Sequence, residues 1–123
     1  MSPLSILIAE DDAVLREVYV KKFSIAGFKI RAVQDGQEAI QEIEKEKPDI
    51  VILDLNMPVL DGFAVLERFP RAQRTFPIIV LSNFGDTKNK ERGVRLEADD
   101  FFIKSEMTIK TLMEKVATLL KAK

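Results

Sequence analysis

Five short runs, rich in β-branched residues, alternate along the chain with segments whose apolar residues recur at helical spacing. The runs occupy positions 6–9, 28–33, 50–53, 78–81 and 101–103, apolar throughout except 28–33, which Lys29 and Arg31 interrupt, and each stops at a polar or charged residue. A strand with one wet face alternates apolar and polar residues, whereas a run that is apolar throughout belongs to a strand covered on both faces. Such strands, separated by helices, form a parallel sheet with helices on either side.

The intervening segments carry their own start and stop signals. A first helix begins at Ala13, with Val14, Leu15, Val18 and Tyr19 at helical spacing and Gly27 as its stop. Asp35-Gly36 makes a turn, Ala39, Ile40 and Ile43 mark a second helix, and Pro48 ends it. Asp61 caps a short third helix carrying Phe63, Leu66 and Phe69, closed by Pro70. Residues 86–97 form a weakly amphipathic fourth helix with Gly93 inside it. Ile109, Leu112, Met113, Val116, Leu119 and Leu120 lie on one stripe of the last helix. Right-handed crossovers leave few ways to thread five such βα units. The expected fold is α/β: a flavodoxin-like, doubly wound five-stranded parallel sheet in the order 2-1-3-4-5, with five helices. The 123 residues have the length of a single domain and contain no linker, repeat or low-complexity stretch.

Composition narrows the chemistry. Cysteine and histidine are both absent, which excludes thiol nucleophiles, disulfides, Cys/His zinc sites and Ser-His-Asp triads. With 19 basic and 20 acidic residues the formal charge is −1, so no basic excess points to direct nucleic-acid binding. No apolar stretch reaches membrane-spanning length, and the N-terminus lacks a signal-peptide layout. The expectation is a cytoplasmic protein without a membrane partner. Its chemistry must run on carboxylates, hydroxyls, amides and Lys or Arg.

Ligands of doubly wound sheets bind outside the carboxyl ends of the strands, near the point where strand order reverses. Here the first strand ends in Glu10-Asp11-Asp12, the third in Asp54, the fourth in Ser82 and the fifth in Lys104. Taken singly, each has a bland reading: Asp11 or Asp12 as a helix cap, Asp54 as the opening of a turn with Asn56 and Pro58, Ser82 as another cap. Together they place carboxylates at both switch-point strands, with a hydroxyl and an ammonium beyond the next two. Clustered carboxylates need a counter-charge, and an all-oxygen donor set suits a hard cation such as Mg2+ or Mn2+. A carboxylate among such groups is placed to attack phosphorus and become an aspartyl phosphate.

The chain resembles the receiver domain of the two-component response-regulator family. The segments that carry the likeness are I-L-I-A-E-D-D (6–12), I-V-I-L-D-L-N-M-P-V-L-D-G-F (50–63), P-I-I-V-L-S (77–82) and A-D-D-F-F-I-K (98–104), with 43 residues from Asp11 to Asp54. The resemblance implies that residues 1–123 are one receiver domain with no output domain following. It implies Asp54 as phosphoacceptor, Asp11 as direct metal ligand, Glu10 as a neighbouring acid acting through water, and the backbone carbonyl of Asn56 as a further ligand. Asp12, one place on, is a cap or an outer acid. Ser82 and Lys104 engage the phosphoryl group, Ser82 and Phe101 take the switch positions, and Asn56 and Phe84 flank the approach and tune phosphoryl lifetime. The implied donor is a sensor histidine kinase or a histidine phosphotransfer protein. A downstream protein, or a second copy in a homodimer, would use the face of the fourth helix, fifth strand and fifth helix.

Three positions depart from the family pattern. Phe101 stands where Tyr is frequent and Glu97 where Gly is common. Ser105 replaces the usual Pro after the Lys, so a trans bond is expected there. An aspartate-nucleophile phosphatase would need an acid two residues after the nucleophile, where this chain has Asn56. A flavodoxin would need a Gly/Ser/Thr phosphate cradle where this chain is acidic. A pseudo-receiver, keeping the fold without phosphorylation, is disfavoured because every key position is filled.

Overall fold

The computed structural model describes residues 3–83 and 87–121, with side chains from residue 90 in the second span. Five strands, β1 (Ser5–Ala9), β2 (Lys29–Val33), β3 (Ile50–Asp54), β4 (Ile78–Ser82) and β5 (Asp100–Ile103), form one sheet in the order β2-β1-β3-β4-β5. Every pairing is parallel, with Ile6 opposite both Ile30 and Ile50, Asp54 opposite Leu81, and Ser82 opposite Ile103. The expected order is the observed one. The helices are α1 (Ala13–Ile25), α2 (Gly36–Lys45), α3 (Gly62–Arg68), α4 (Thr87–Arg95) and α5 (Ile109–Lys121), with a 3-10 turn at Arg71–Gln73 between α3 and β4.

Strand side chains point alternately to two faces, and both are filled. Ile6, Ile8, Ile50, Ile52, Ile79 and Leu81 pack with Tyr19 and Phe23 of α1 and Leu112 and Val116 of α5. Leu7, Ala9, Val51, Leu53, Ile78 and Val80 pack with Ala39 and Ile43 of α2 and Phe63, Val65 and Leu66 of α3. Each fully buried Ile or Leu contributes roughly 1.5–3 kcal/mol of transfer free energy. This two-sided core fixes the sheet that carries the site.

Caps hold the helices at the sheet edge. Asp12, Asp35 and Asp61 cap α1, α2 and α3, accepting backbone N–H groups of Val14 and Leu15, of Glu38, and of Ala64. At its C-terminus α1 ends in a Schellman turn: Gly27 (φ 100) donates to Ser24 and Phe28 donates to Phe23. The Phe23 and Phe28 rings meet edge-to-face at 5.9 Å, the apolar contact that such a turn brings. After α4 the same turn recurs, Glu97 donating to Val94 and Ala98 to Gly93, but the left-handed position is occupied by Glu97 (φ 64).

Three expectations are revised. Val14 and Val18 do not face the core; Val14 is 71% exposed. The buried stripe runs through Leu15, Tyr19 and Phe23, which turns residues one position earlier away by about a quarter turn. The fourth helix, described from Thr87, ends at Arg95 rather than reaching residue 97, because the Schellman turn closes it. Asp86 lies outside the described residues. Pro70 follows α3 but also begins the 3-10 turn, as its N-cap. Among the described residues no peptide bond is cis, so Lys104–Ser105 is trans, as expected for Ser105.

Candidate functional site

Parallel pairing in register brings the C-terminal ends of β1, β3, β4 and β5 to one edge. Asp54, the last residue of β3, is fully buried, and Glu10, the first after β1, is 1% exposed. With exposed Asp11 they form a trio in which one carboxylate oxygen from each lies within 4.8 Å of the other two. Lys104, just past β5, reaches over them, its Nζ 2.7 Å from Glu10 Oε1 and 3.3 Å from Asp54 Oδ2. Its backbone N–H donates to the carbonyl of Ser82 at 2.8 Å, tying the ends of β4 and β5 together. Ser82 is fully buried at the end of β4.

The acids are compressed. Glu10 Oε1 and Asp54 Oδ2 are sealed from solvent and face the Lys104 ammonium. Burial first, then a hydrogen bond toward Glu10 and the Glu10 charge, push the Asp54 carboxyl up from 3.8 to about 8. The Asn56 N–H, donating to Asp54 Oδ1 at 3.1 Å, and the Lys104 charge pull the other way without prevailing. Three convergent oxygen-donor side chains, two buried and one exposed, with a single ammonium against them among the described residues, suit a hard divalent cation. Asp11, Asp54 and Glu10 are the side chains that could hold it.

The other expected site residues fall out as follows. Asp12 is turned away from the trio, its Oδ1 accepting from Val14 N (2.9 Å) and Leu15 N (3.1 Å), and its own N–H donating to Glu10 Oε2. The cap reading of Asp12 is the observed one, and the crowded acids number three rather than four. Asn56 Oδ1 accepts the backbone N–H of Asn83 at 3.2 Å, so it links the loops after β3 and β4. Phe101 is half-buried and packs against the α2/α3 face of the core. Its ring borders Gly93 of α4, where an added Cβ would lie 3.0 Å from a ring carbon. Phe84 lies outside the described residues.

Two features escaped the sequence reading. Val59, in the loop after Asp54, has φ 68 and is 70% exposed. Leu60 N donates to Pro58 O across it at 2.8 Å, a γ-turn of the rare kind with positive φ at its centre. The loop is then fastened to α2, where the Gly36 N–H donates to Leu60 O and a Cβ at residue 36 would lie 2.3 Å from that oxygen. The second is Arg16, whose guanidinium donates to the carbonyls of Glu10 (2.9 Å) and Asp11 (3.4 Å). Its only trace in the sequence is a cation one turn into the helix that follows the acids.

Comparison with known proteins identifies the arrangement. The family description "Response regulator receiver domain" matches residues 6–117. This chain belongs to that family. As a receiver domain it is 37% identical over 99 residues to the "Probable transcriptional regulator ycf27" of Guillardia theta, covering 80% of this chain and 39% of that protein. It is 32% identical over 119 residues to the "Response regulator MprA" of Mycolicibacterium vanbaalenii, covering 97% of this chain and 51% of that one. The receiver domain therefore spans about half or less of the curated relatives it matches. Among solved structures it superposes on a LuxR-family DNA-binding response regulator from Staphylococcus aureus with TM-score 0.88 and 30% identity, covering 95% of this chain and 98% of that one. It superposes on the receiver domain of the Francisella response regulator 1452 with TM-score 0.89 and 30% identity, covering 98% of each. No helix among the described residues is long and apolar enough to cross a membrane.

Proposed function

We propose that this receiver domain is a phosphorylation-controlled switch in which Asp54 accepts a phosphoryl group from the phosphohistidine of a sensor histidine kinase or a histidine phosphotransfer protein. The observation that carries this reading is the meeting of buried Glu10 and Asp54 with exposed Asp11 at one sheet edge, with Lys104 against the two buried acids. With no histidine in the 123 residues, the donor imidazole belongs to another molecule. An Asp54 oxygen forms the new P–O bond as the P–N bond to that imidazole breaks. Such in-line transfer asks the protein for position and charge and little else.

Each neighbour takes a role in this reading. Lys104 donates to one phosphoryl oxygen and the Ser82 hydroxyl to another. Mg2+ or Mn2+, held by Asp11, Asp54 and the Asn56 backbone carbonyl, with Glu10 acting through water, would supply the positive charge that neutralises the acids and the transferring oxygens. Asn56 and Phe84 tune the lifetime of the phosphoryl group. Phe101, against Gly93, couples β5 to α4 and completes the switch with Ser82. The domain's catalysis is confined to its own phosphorylation and dephosphorylation. At Asn56 a phosphatase would need an acid, and this side chain is already engaged by Asn83.

The output surface in this reading is the face of α4, β5 and α5, open to a downstream protein or a second copy. Val94 is exposed on α4, and Lys115 of α5 pairs with Asp100 of β5 at 2.9 Å. Incubation with a small phosphodonor and Mg2+, followed by intact-mass measurement, tests the proposal. A single species heavier by about 80 Da, absent in Asp54→Ala, supports it. No increment with any donor leaves a protein-binding module that does not phosphorylate.

A further inference from the structure

The turn that carries Glu10 and Asp11 leaves the sheet at the last registered pair, Ala9 with Val33 and with Leu53. The Glu10 N–H still reaches Val33 O at 3.1 Å, but its carbonyl and that of Asp11 lie past the ladder. A carbonyl without a fixed partner leaves the backbone free to rotate, and rotation there swings two carboxylates out of the trio. Arg16 is the group that meets both carbonyls, at 2.9 and 3.4 Å. Its backbone N–H is itself bonded to Asp12 O at 2.9 Å, inside a helix start that Asp12 caps. The guanidinium thus rides on the rigid first turn of α1 and grips the acidic turn from behind.

The choice of partner is informative. Arg16 stands within six residues of four acids, Glu10, Asp11, Asp12 and Glu17, yet its hydrogen bonds go to backbone carbonyls rather than to carboxylates. The acid side chains of Glu10 and Asp11 therefore remain directed at Asp54. From these contacts we infer that Arg16 is a positioning residue: it fixes the backbone of the Glu10–Asp11 turn so that the acids converge as a preformed cation site. The inference rests on the proposed reading of the trio as a divalent-cation site. Groups behind first ligands act this way in metal centres, where their loss weakens binding by roughly 10–100-fold.

Charge and position predict opposite signs, which makes the test decisive. A cation acting only through its charge would repel Mg2+, so its removal would tighten binding. A cation acting through position would weaken binding when removed. The experiment is a Mg2+ titration of wild type, Arg16→Ala and Arg16→Lys without phosphodonor, followed by backbone amide chemical shifts. Wild type should give a saturable shift at the Glu10–Asp12 and Asp54 amides. Arg16→Ala should bind about tenfold more weakly, with core amides of β3 and β4 unmoved. Arg16→Lys, able to reach one carbonyl, should fall between. Binding by Arg16→Ala as tight as wild type, or tighter, overturns the inference while leaving the cation site intact. A wild type without a saturable response overturns the cation reading and the inference with it. Should Arg16→Ala fail to fold, Arg16→Gln replaces it: weaker binding than the Lys variant supports the inference, and binding equal to or tighter than wild type contradicts it.

Discussion

Lys104 stands closer to Glu10 than to Asp54, 2.7 Å against 3.3 Å, and it is the single cation paired with either acid among the described residues. Removing one partner of a buried ion pair leaves the others uncompensated and costs several kcal/mol. Lys104→Met should therefore lower stability at neutral pH by about 3 kcal/mol. Adding Glu10→Gln should recover much of that loss. Urea midpoints under chelator measure both effects, and an unchanged midpoint in Lys104→Met would mean that the ammonium does not hold the pocket together.

The raised Asp54 makes stability fall as pH rises. Burial and Glu10 push it from 3.8 to about 8, so the folded protein binds this proton more tightly than the unfolded chain does. Its contribution is full below 3.8 and disappears as pH climbs to about 8. Asp99 behaves oppositely. Burial raises it, but hydrogen bonds from Arg71, Arg74 and Ile78 N outweigh burial and hold it below its usual value. Its contribution is present above the unfolded value and is lost as pH falls through the lower folded one. Thermal midpoints against pH under chelator should lose their neutral slope in Asp54→Asn and their acid slope in Asp99→Asn. A neutral slope that survives in Asp54→Asn would place its origin elsewhere.

Two side chains occupy left-handed backbone that glycine adopts without penalty. Val59 at φ 68 is β-branched and solvent-facing, and Glu97 at φ 64 closes α4 where Gly27 closes α1. The left-handed region costs a non-glycine residue about 1–2 kcal/mol, partly offset by the greater freedom glycine has when unfolded. Val59→Gly and Glu97→Gly should each raise the thermal midpoint by a few degrees. The Glu97 backbone must keep its carbonyl on Arg74, 2.6 Å away, for the gain to appear. A lower midpoint in either variant would show that its side chain contributes more than the strain takes away.

The sheet was legible because β1, β3 and β4 are covered on both faces and read as unbroken apolar runs, while β2 and β5, at the two edges of the sheet, are only partly buried. The strand ends were legible because parallel register converts position in sequence into position at one edge, which brought Glu10, Asp11, Asp54, Ser82 and Lys104 together. Asp61 was read correctly as a cap because its signal is local. What stayed hidden depends on contacts between distant segments. The face that α1 buries was set by Tyr19 and Phe23 meeting the sheet, not by the spacing of Val14 and Val18. Arg74 is nearly buried because, beyond its local bonds to Phe69 O and Phe76 O, it reaches Glu97 O and Asp99 across more than twenty residues. The strain at Val59 arises from tying Leu60 to Gly36, a contact across 24 residues.

The fourth helix should be the least protected. Among the α4 residues whose side chains are described, Gly93 alone is buried, while Val94 is 67% exposed. Arg92 lies 4.1 Å over the Phe63 ring, one of few anchors to the rest of the fold. Few buried apolar contacts mean low local stability. Amide hydrogen exchange should be faster in α4 than in the other four helices and should slow on phosphorylation. Equal protection across all five would contradict this assignment.

The central claim is that the three acids form a strained pocket that a divalent cation relieves. Thermal melts of wild type and Asp54→Asn at slightly alkaline pH, with chelator and with several millimolar Mg2+, test it most directly. Asp54→Asn should melt higher than wild type under chelator, because it removes a buried acid from a crowded sheet edge. Mg2+ should raise the wild-type midpoint by mass action and leave the variant nearly unmoved. A wild type that is the more stable under chelator and indifferent to Mg2+ would contradict it.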